Sequence, residues 1–158
     1  MKTIFLIISG LVTTNLYGQF KLDPYRLGIT VKNIEHASHW YEENLGFKAY
    51  KKMDFPEYDS LKIRFLRQGD FEIELIEKRT SFSIKSLRPN YSFSNEPLEG
   101  FSKIAFRVDD LRQMYEKLKR HGVKEILGIT HDKEFDVDFF MVEDIDGNIL
   151  QFIEAKQK

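Results

Sequence analysis

Charged and amide side chains recur in this 158-residue chain at one fixed spacing. Arg26 and Lys103 are 77 residues apart, and so are Glu74 and Gln151. A carboxylate placed near two cations can neutralise them in a buried ion pair, or the surplus positive charge can receive an anion. Which chemistry applies depends on the elements that position these four side chains.

The segments around these residues repeat with them, which indicates a duplicated module. Residues 26–31 correspond to 103–108, and residues 73–77 correspond to 150–154. The first pair alternates apolar and polar side chains, as a strand with one buried face does. Two independent strands that repeat at one spacing predict that the two halves of the chain fold alike.

Each half also contains a helix and further strands. The spacing predicts a first helix over 34–45 with Asn33 as its N-cap and Gly46 at its end. A second helix begins at Asp110, which forms a capping box with Gln113, and ends at Gly122. The other predicted strands lie near 47–54, 60–67, 71–78, 123–129, 137–142 and 148–154. Each half is therefore a β-α-β-β-β module, which makes the fold class α+β.

Each sheet has a second face, opposite its helix, which we call the cup face. Large apolar residues point to the helices, whereas this face mixes charge with small side chains that leave space above the sheet. Two such sheets facing each other would enclose a partly polar cavity, where we expect a ligand. Alternation places on the cup face Arg26, Gly28, Thr30, Glu72, Glu74, Ile76, Lys103, Ala105, Arg107 and Gln151.

The N-terminus reads as a signal peptide over residues 1–18. Lys2 supplies the positive start, residues 4–12 form an apolar run of suitable length, and Gly18 precedes the expected cleavage point. The mature domain would then cover 19–158 and be periplasmic or secreted, without a membrane anchor. Within it, module 1 spans about 26–79, a connecting loop 80–100, and module 2 about 101–156.

Composition excludes several kinds of chemistry. The chain has no cysteine, which rules out disulfides, thiolate zinc sites and a cysteine nucleophile. Its formal net charge of −1 gives no electrostatic reason to expect nucleic acid as a partner. None of the four histidines falls on the cup face, and no Ser–His–Asp or phosphate-binding glycine pattern is present.

Three sequence motifs lie at corresponding places in the two modules and before the last strand. They are Ile29-Thr-Val-Lys-Asn-Ile with Trp40-Tyr41 and Leu45-Gly46-Phe47, then Ile104-Ala-Phe-Arg-Val-Asp-Asp-Leu111, and Glu143-Asp-Ile-Asp-Gly-Asn-Ile149. Together they resemble the vicinal-oxygen-chelate superfamily, the glyoxalase, bleomycin-resistance and dioxygenase group, and the turn before the last strand is the most specific part. The resemblance covers nearly all of residues 26–155 and implies two βαβββ modules that form a cupped mixed-sheet barrel.

The resemblance also implies where a metal would bind. Metal-dependent members hold a divalent ion with four side chains, from the first and fourth strands of each module, and these positions fall on Arg26, Glu74, Lys103 and Gln151. A guanidinium has no lone pair to give and an ammonium is a cation, so neither replaces an imidazole. We therefore expect no metal or other cofactor and interpret the four residues as ligand-binding.

Two hypotheses for this site remain open at the level of sequence. In the structural one, Glu74 bridges Arg26 and Lys103 and neutralises the polar centre of the barrel. In the functional one, the two cations leave a positive spot that receives an anionic group, such as a carboxylate.

The predicted function is the binding of a small organic molecule by an exported, bleomycin-resistance-like protein. A homodimer fits as well, because members of this family often complete the cup from two chains. The alternatives are a metal-dependent or metal-free lyase, isomerase or dioxygenase, and a structural or partner-binding module. A metal-free enzyme would use Glu74 as the base and a neighbouring cation to stabilise an enolate, although that cation would weaken the base.

Overall fold

The structure is a computed structural model that describes residues 24–155. Within this range the chain forms eight strands and three helices. No helix in the described range is long and apolar enough to cross a membrane. The predicted signal peptide, residues 1–18, lies outside the described residues and stays a prediction.

The first module is a four-stranded mixed sheet covered by one helix. Its strand order is β1-β4-β3-β2, with β1 parallel to β4 and the other neighbours antiparallel. The parallel pair arises because α1 carries the chain from β1 across the sheet. The elements are β1 Arg26–Thr30, α1 Ile34–Leu45, β2 Lys48–Phe55, β3 Leu61–Gln68 and β4 Phe71–Glu77.

The connecting segment contains only the short helix α2, Ile84–Leu87, before the second module repeats the first. The second sheet has the order β5-β8-β7-β6, which is the same topology. The predicted duplicated α+β fold is therefore confirmed. Within residues 24–155 no strand of one sheet pairs with a strand of the other, so the two sheets do not close into a barrel. The elements are β5 Ile104–Arg107, α3 Leu111–Arg120, β6 Glu125–Asp132, β7 Val137–Glu143 and β8 Ile149–Ala155.

The predicted caps hold both long helices in place. Asn33 Oδ1 accepts a hydrogen bond from the backbone N–H of His36 at 2.9 Å, which satisfies a free donor of the first turn. Gly46 ends α1 with a φ of 77°, a left-handed conformation that favours glycine. Asp110 Oδ1 accepts from the N–H of Gln113 at 2.8 Å at the start of α3.

A continuous apolar core lies between the helices and the inner faces of the sheets. Because side chains alternate along each strand, burying one face leaves the other to form the cup face. Polar and charged cup-face residues can therefore be recruited for binding without disturbing this core. Its fully buried members include Ile34, Ala37, Tyr41, Leu66, Ile73, Leu75, Leu118, Phe140 and Leu150.

The interface between the modules lies on the helix side. The hydroxyl of Tyr41 donates to Asp144 Oδ2 at 2.7 Å in a buried environment. Lys117 Nζ on α3 donates to the carbonyl of Asn44 on α1 at 2.8 Å. These contacts join the two modules through residues that have no part in either cup face.

Candidate functional site

A group of two arginines, one glutamate and three aromatic residues lies on the cup face of module 1. Strand pairing brings them together: Glu72 on β4 lies opposite Arg26 on β1 and opposite Arg67 on β3. Residues that are directly paired point to the same face of a sheet. We call this group the arginine cluster; it consists of Tyr25, Arg26, Tyr50, Phe65, Arg67 and Glu72.

Glu72 is the centre of the arginine cluster, and its side chain exposes no surface. Arg26 donates to Oε2 through Nε at 3.0 Å and Nη2 at 2.5 Å. Arg67 donates to Oε1 through Nε at 2.9 Å and also through Nη2. Each guanidinium therefore donates to this carboxylate through Nε and Nη2, and neither Nη1 atom donates to it.

The pKa of the Glu72 carboxyl shows how strongly the arginines hold it ionised. Burial by itself raises this pKa, but the hydrogen bonds from Arg26 and Arg67 outweigh burial and lower it from 4.5 to about 2. The hydroxyls of Tyr50 and Tyr25 lower it further. With Glu72 ionised and both arginines protonated, the three side chains carry one net positive charge.

Aromatic rings hold the guanidiniums in place. The Arg26 guanidinium carbon lies 4.6 Å from the centroid of the Phe65 ring, and that of Arg67 lies 4.7 Å from the centroid of Tyr50. Such stacking is attractive because the ring faces are electron-rich. The Arg67 side chain remains 53% exposed, so the positive charge of the arginine cluster is accessible to solvent.

Glu74 lies beside the arginine cluster on the same cup face, opposite Gly28 on β1 and Phe65 on β3. Its side chain is half-buried, and no residue within 24–155 forms a hydrogen bond or ion pair with it. The predicted bridge from Glu74 to Arg26 and Lys103 is therefore wrong, because Arg26 pairs with Glu72.

The structure does not bring together the four predicted site residues. Lys103 precedes β5 and is exposed, whereas Gln151 is 9% exposed between Ala105 and Met141 in sheet register. The Gln151 amide makes no hydrogen bond with any described residue. No hydrogen bond or ion pair joins any two of the four within residues 24–155.

The sequence did not predict four members of the arginine cluster, which are Tyr25, Tyr50, Phe65 and Arg67. The sequence does carry a signal for Arg67, because Gln68-Gly69-Asp70 lies between two predicted strands and is typical of a hairpin turn. In the structure Gln68 pairs with Phe71, and this two-residue turn sets Arg67 opposite Glu72. Tyr50 could not be placed in this way, because a register shift in β2 lies between Ala49 and Lys51.

The residues at the four family positions do not fit a divalent metal ion. Arg26 has no lone pair to donate and is engaged with Glu72, and Lys103 contributes a second positive charge. Within the described residues no group of three or more His, Asp or Glu side chains is arranged to hold a metal. The four histidines lie elsewhere: His36 and His39 on α1, His121 after α3 and His131 on β6.

Two concave pockets lie along the interface between the modules. One of about 470 Å³ is lined in part by Trp40, Asn44 and His121. The other, of about 190 Å³, is lined in part by Phe47 and Phe106. No residue of the arginine cluster lines either pocket. With Tyr25, Tyr50 and Arg67 exposed, the arginine cluster is accessible from solvent.

Comparison with known proteins gives the family. A family model described as the Glyoxalase/Bleomycin resistance protein/Dioxygenase superfamily matches residues 21–152. A lactoylglutathione lyase of Neisseria meningitidis is 27% identical over 129 residues, which cover 81% of this chain and 87% of that protein.

Solved structures support the same fold at lower identity. A glyoxalase family protein from Enterococcus faecalis has a TM-score of 0.70 at 22% identity, covering 84% of this chain and 97% of that one. The trypanothione-dependent glyoxalase I of Leishmania major has a TM-score of 0.63 at 23% identity, covering 86% and 88% respectively. The chain therefore belongs to the Glyoxalase/Bleomycin resistance protein/Dioxygenase superfamily.

Proposed function

We propose that this protein binds a small organic anion on the cup face of module 1, without a metal, and that Arg26 and Arg67 receive the anionic group. One observation carries the proposal. Two guanidiniums share the single carboxylate of Glu72, and each donates to it only through Nε and Nη2. Arginine matches the geometry of a carboxylate or similar oxyanion, and the remaining donors are available for one.

A purely structural role does not account for both arginines. Glu72 is buried and needs a cationic partner, and Arg26, the less exposed of the two at 30%, provides it. Arg67 adds a second charge that is not needed for neutrality and remains more than half exposed. A surplus cation that is held in place by a carboxylate and an aromatic ring can receive negative charge.

The aromatic residues favour an organic anion over an inorganic one. Tyr25 is 57% exposed and Tyr50 is 48% exposed, and both flank the guanidiniums. Exposed tyrosine rings bind apolar and aromatic groups, while their hydroxyls stay in contact with water. A ligand with a carboxylate attached to a small ring would bind the guanidiniums through its carboxylate and the tyrosine rings through its own ring.

Export and dimerisation belong to the same proposal. The apolar run over 4–12 and Gly18 support cleavage before Gln19, which would bring the mature protein to the periplasm or medium. A second chain would cover the cup face, where Tyr25, Tyr50 and Arg67 are exposed in one chain. N-terminal sequencing of the exported protein and light scattering of the purified protein test these two parts.

The anion-binding proposal is tested by calorimetric titration with benzoate, phenylacetate and 3-phenylpropionate in the presence of a chelator. We expect binding that weakens with salt and drops at least about tenfold in Arg67→Gln, since a charge-assisted contact is lost. Arg67→Lys, which keeps the charge, should recover part of the affinity.

Arg112→Gln is the matched control, because Arg112 is exposed on α3 and far from β3 in the fold. Melting curves of each variant verify that it is folded. Equal binding by Arg67→Gln and the unmodified protein would overturn the proposal. Binding that appears only after a divalent metal is added would also overturn it and favour a metal-dependent lyase or dioxygenase.

A further inference from the structure

We propose that the ligand of this site is a small zwitterionic aromatic compound, whose anionic group binds Arg26 and Arg67 while its cationic group binds Glu74. This inference rests on the proposed anion binding and names the class of ligand. The observation behind it is that two carboxylates on the same face of one strand have different partners: Glu72 binds both arginines, and Glu74 binds no residue within 24–155.

No residue within 24–155 forms a hydrogen bond or ion pair with Glu74, which leaves its carboxylate available to a cation of the ligand. A half-buried carboxylate loses part of its hydration, and an ion pair with a ligand cation would compensate for this loss. Arg26 and Arg67 are both committed to Glu72, so neither can turn to Glu74 without exposing a buried charge. The arrangement therefore offers two receptors of opposite sign, side by side.

The spacing between Glu72, which holds both arginines, and Glu74 indicates the size of the ligand. Glu72 and Glu74 are two residues apart on β4, and a strand rises about 3.3 Å per residue, so their backbones are roughly 6.6 Å apart. A single benzene ring is long enough to separate an acid from an amine by such a distance. Phe65 pairs directly with Glu74 and also lies under the Arg26 guanidinium, so an aromatic residue neighbours both receptors.

There is room for such a ligand beside Glu74. Gly28 is the residue opposite Glu74 on β1, and a Cβ added there would approach only the Cδ1 atom of Ile76, at 3.9 Å. Gly28 is not in a left-handed conformation, so the strand does not need glycine for its backbone. Gly28→Val should therefore fold, since valine suits a strand, and should weaken binding by occupying this space.

The test is a thermodynamic cycle with two ligands that differ by one amine. The probes are 4-(aminomethyl)benzoate, which is a zwitterion, and 4-methylbenzoate, which has the same ring and acid without the charge. We expect the unmodified protein to bind the zwitterion at least about fivefold more tightly, and Glu74→Gln to lose this preference. The measured quantity is the ratio of the two dissociation constants, determined by calorimetry in each protein.

Glu116→Gln is the control variant, because Glu116 is an exposed acid on α3 and should keep the full preference. If 4-methylbenzoate binds through Arg67 and the amine adds nothing, the zwitterion inference is overturned while anion binding stands. A preference that persists in Glu74→Gln overturns it as well. If neither ligand nor the simple carboxylates bind, the proposed function itself fails.

Discussion

At the scale of single residues, the carboxylate of Glu72 holds the two positive charges of the arginine cluster together. Its carboxylate is fully buried and accepts hydrogen bonds from two arginines that stand on different strands. Without this negative charge the two guanidiniums would repel each other across the position of β4. The folded state therefore depends on Glu72 remaining ionised, which makes its contribution to stability depend on pH.

We predict that the stabilisation from Glu72 is lost in acid. Its folded pKa of about 2 lies below the ordinary value of 4.5, so the contribution is complete above about 4.5 and disappears as the pH falls towards 2. Denaturant unfolding of the unmodified protein and Glu72→Gln, followed between pH 7 and 2, should show a stability difference that is constant near neutral pH and shrinks in acid. A difference that is the same at pH 7 and pH 2 would contradict this assignment.

Alternation along β4 predicted that Glu72 and Glu74 share the cup face, and this is how the structure has it. Alternation does not tell which of the two meets Arg26, because both point the same way. That choice is made by the parallel register between β1 and β4, which sets Arg26 opposite Glu72 and Gly28 opposite Glu74. Strands β1 and β4 are not joined by a tight turn that would fix their register, so a local pattern does not predict it.

At the scale of elements, helix α1 supports the arginine cluster from below. Its buried residues pack on the inner face of the sheet whose outer face carries Arg26, Arg67 and Glu72. Local patterns were sufficient for α1, whose bounds agree with the prediction at both ends. They were not sufficient for β6, predicted near 123–129 and found at Glu125–Asp132, because two register shifts against β7 change the alternation.

Asn33 should be needed for the stability of this helix. Replacing Asn33 with alanine removes the acceptor for the N–H of His36, and we expect a cost of about 1 kcal/mol in the free energy of unfolding. Asn33→Asp keeps an acceptor at this position and adds a negative charge at the helix N-terminus, so it should restore most of that loss. Equal stabilities of the alanine and aspartate variants, measured by denaturant unfolding, would show that the cap has no such role.

At the scale of the whole molecule, the two modules share one core although their sheets are separate. Asp144 at the β7–β8 turn accepts hydrogen bonds from its own turn, through Asn148 and the N–H of Asp146, and from Tyr41 of the other module. Burial, together with the charge of Asp144, raises the pKa of Tyr41 well above its ordinary value, so the phenol remains a donor. Because this hydrogen bond is closed to solvent, we expect the modules to unfold together.

Tyr41→Phe tests this coupling. The change leaves the ring in the core but deprives the buried carboxylate of Asp144 of one donor, which should cost about 1–3 kcal/mol. Trp40, the one tryptophan of the chain, lies next to Tyr41 with ring centroids 5.1 Å apart, so its fluorescence reports the interface while circular dichroism reports both modules. The two signals should change together in one unfolding transition. Its midpoint should move to a lower denaturant concentration in Tyr41→Phe. In Tyr58→Phe, whose side chain is exposed, the midpoint should stay almost unchanged. Two separate transitions in the unmodified protein would mean that the modules are independent and that the Tyr41–Asp144 contact stabilises only one of them.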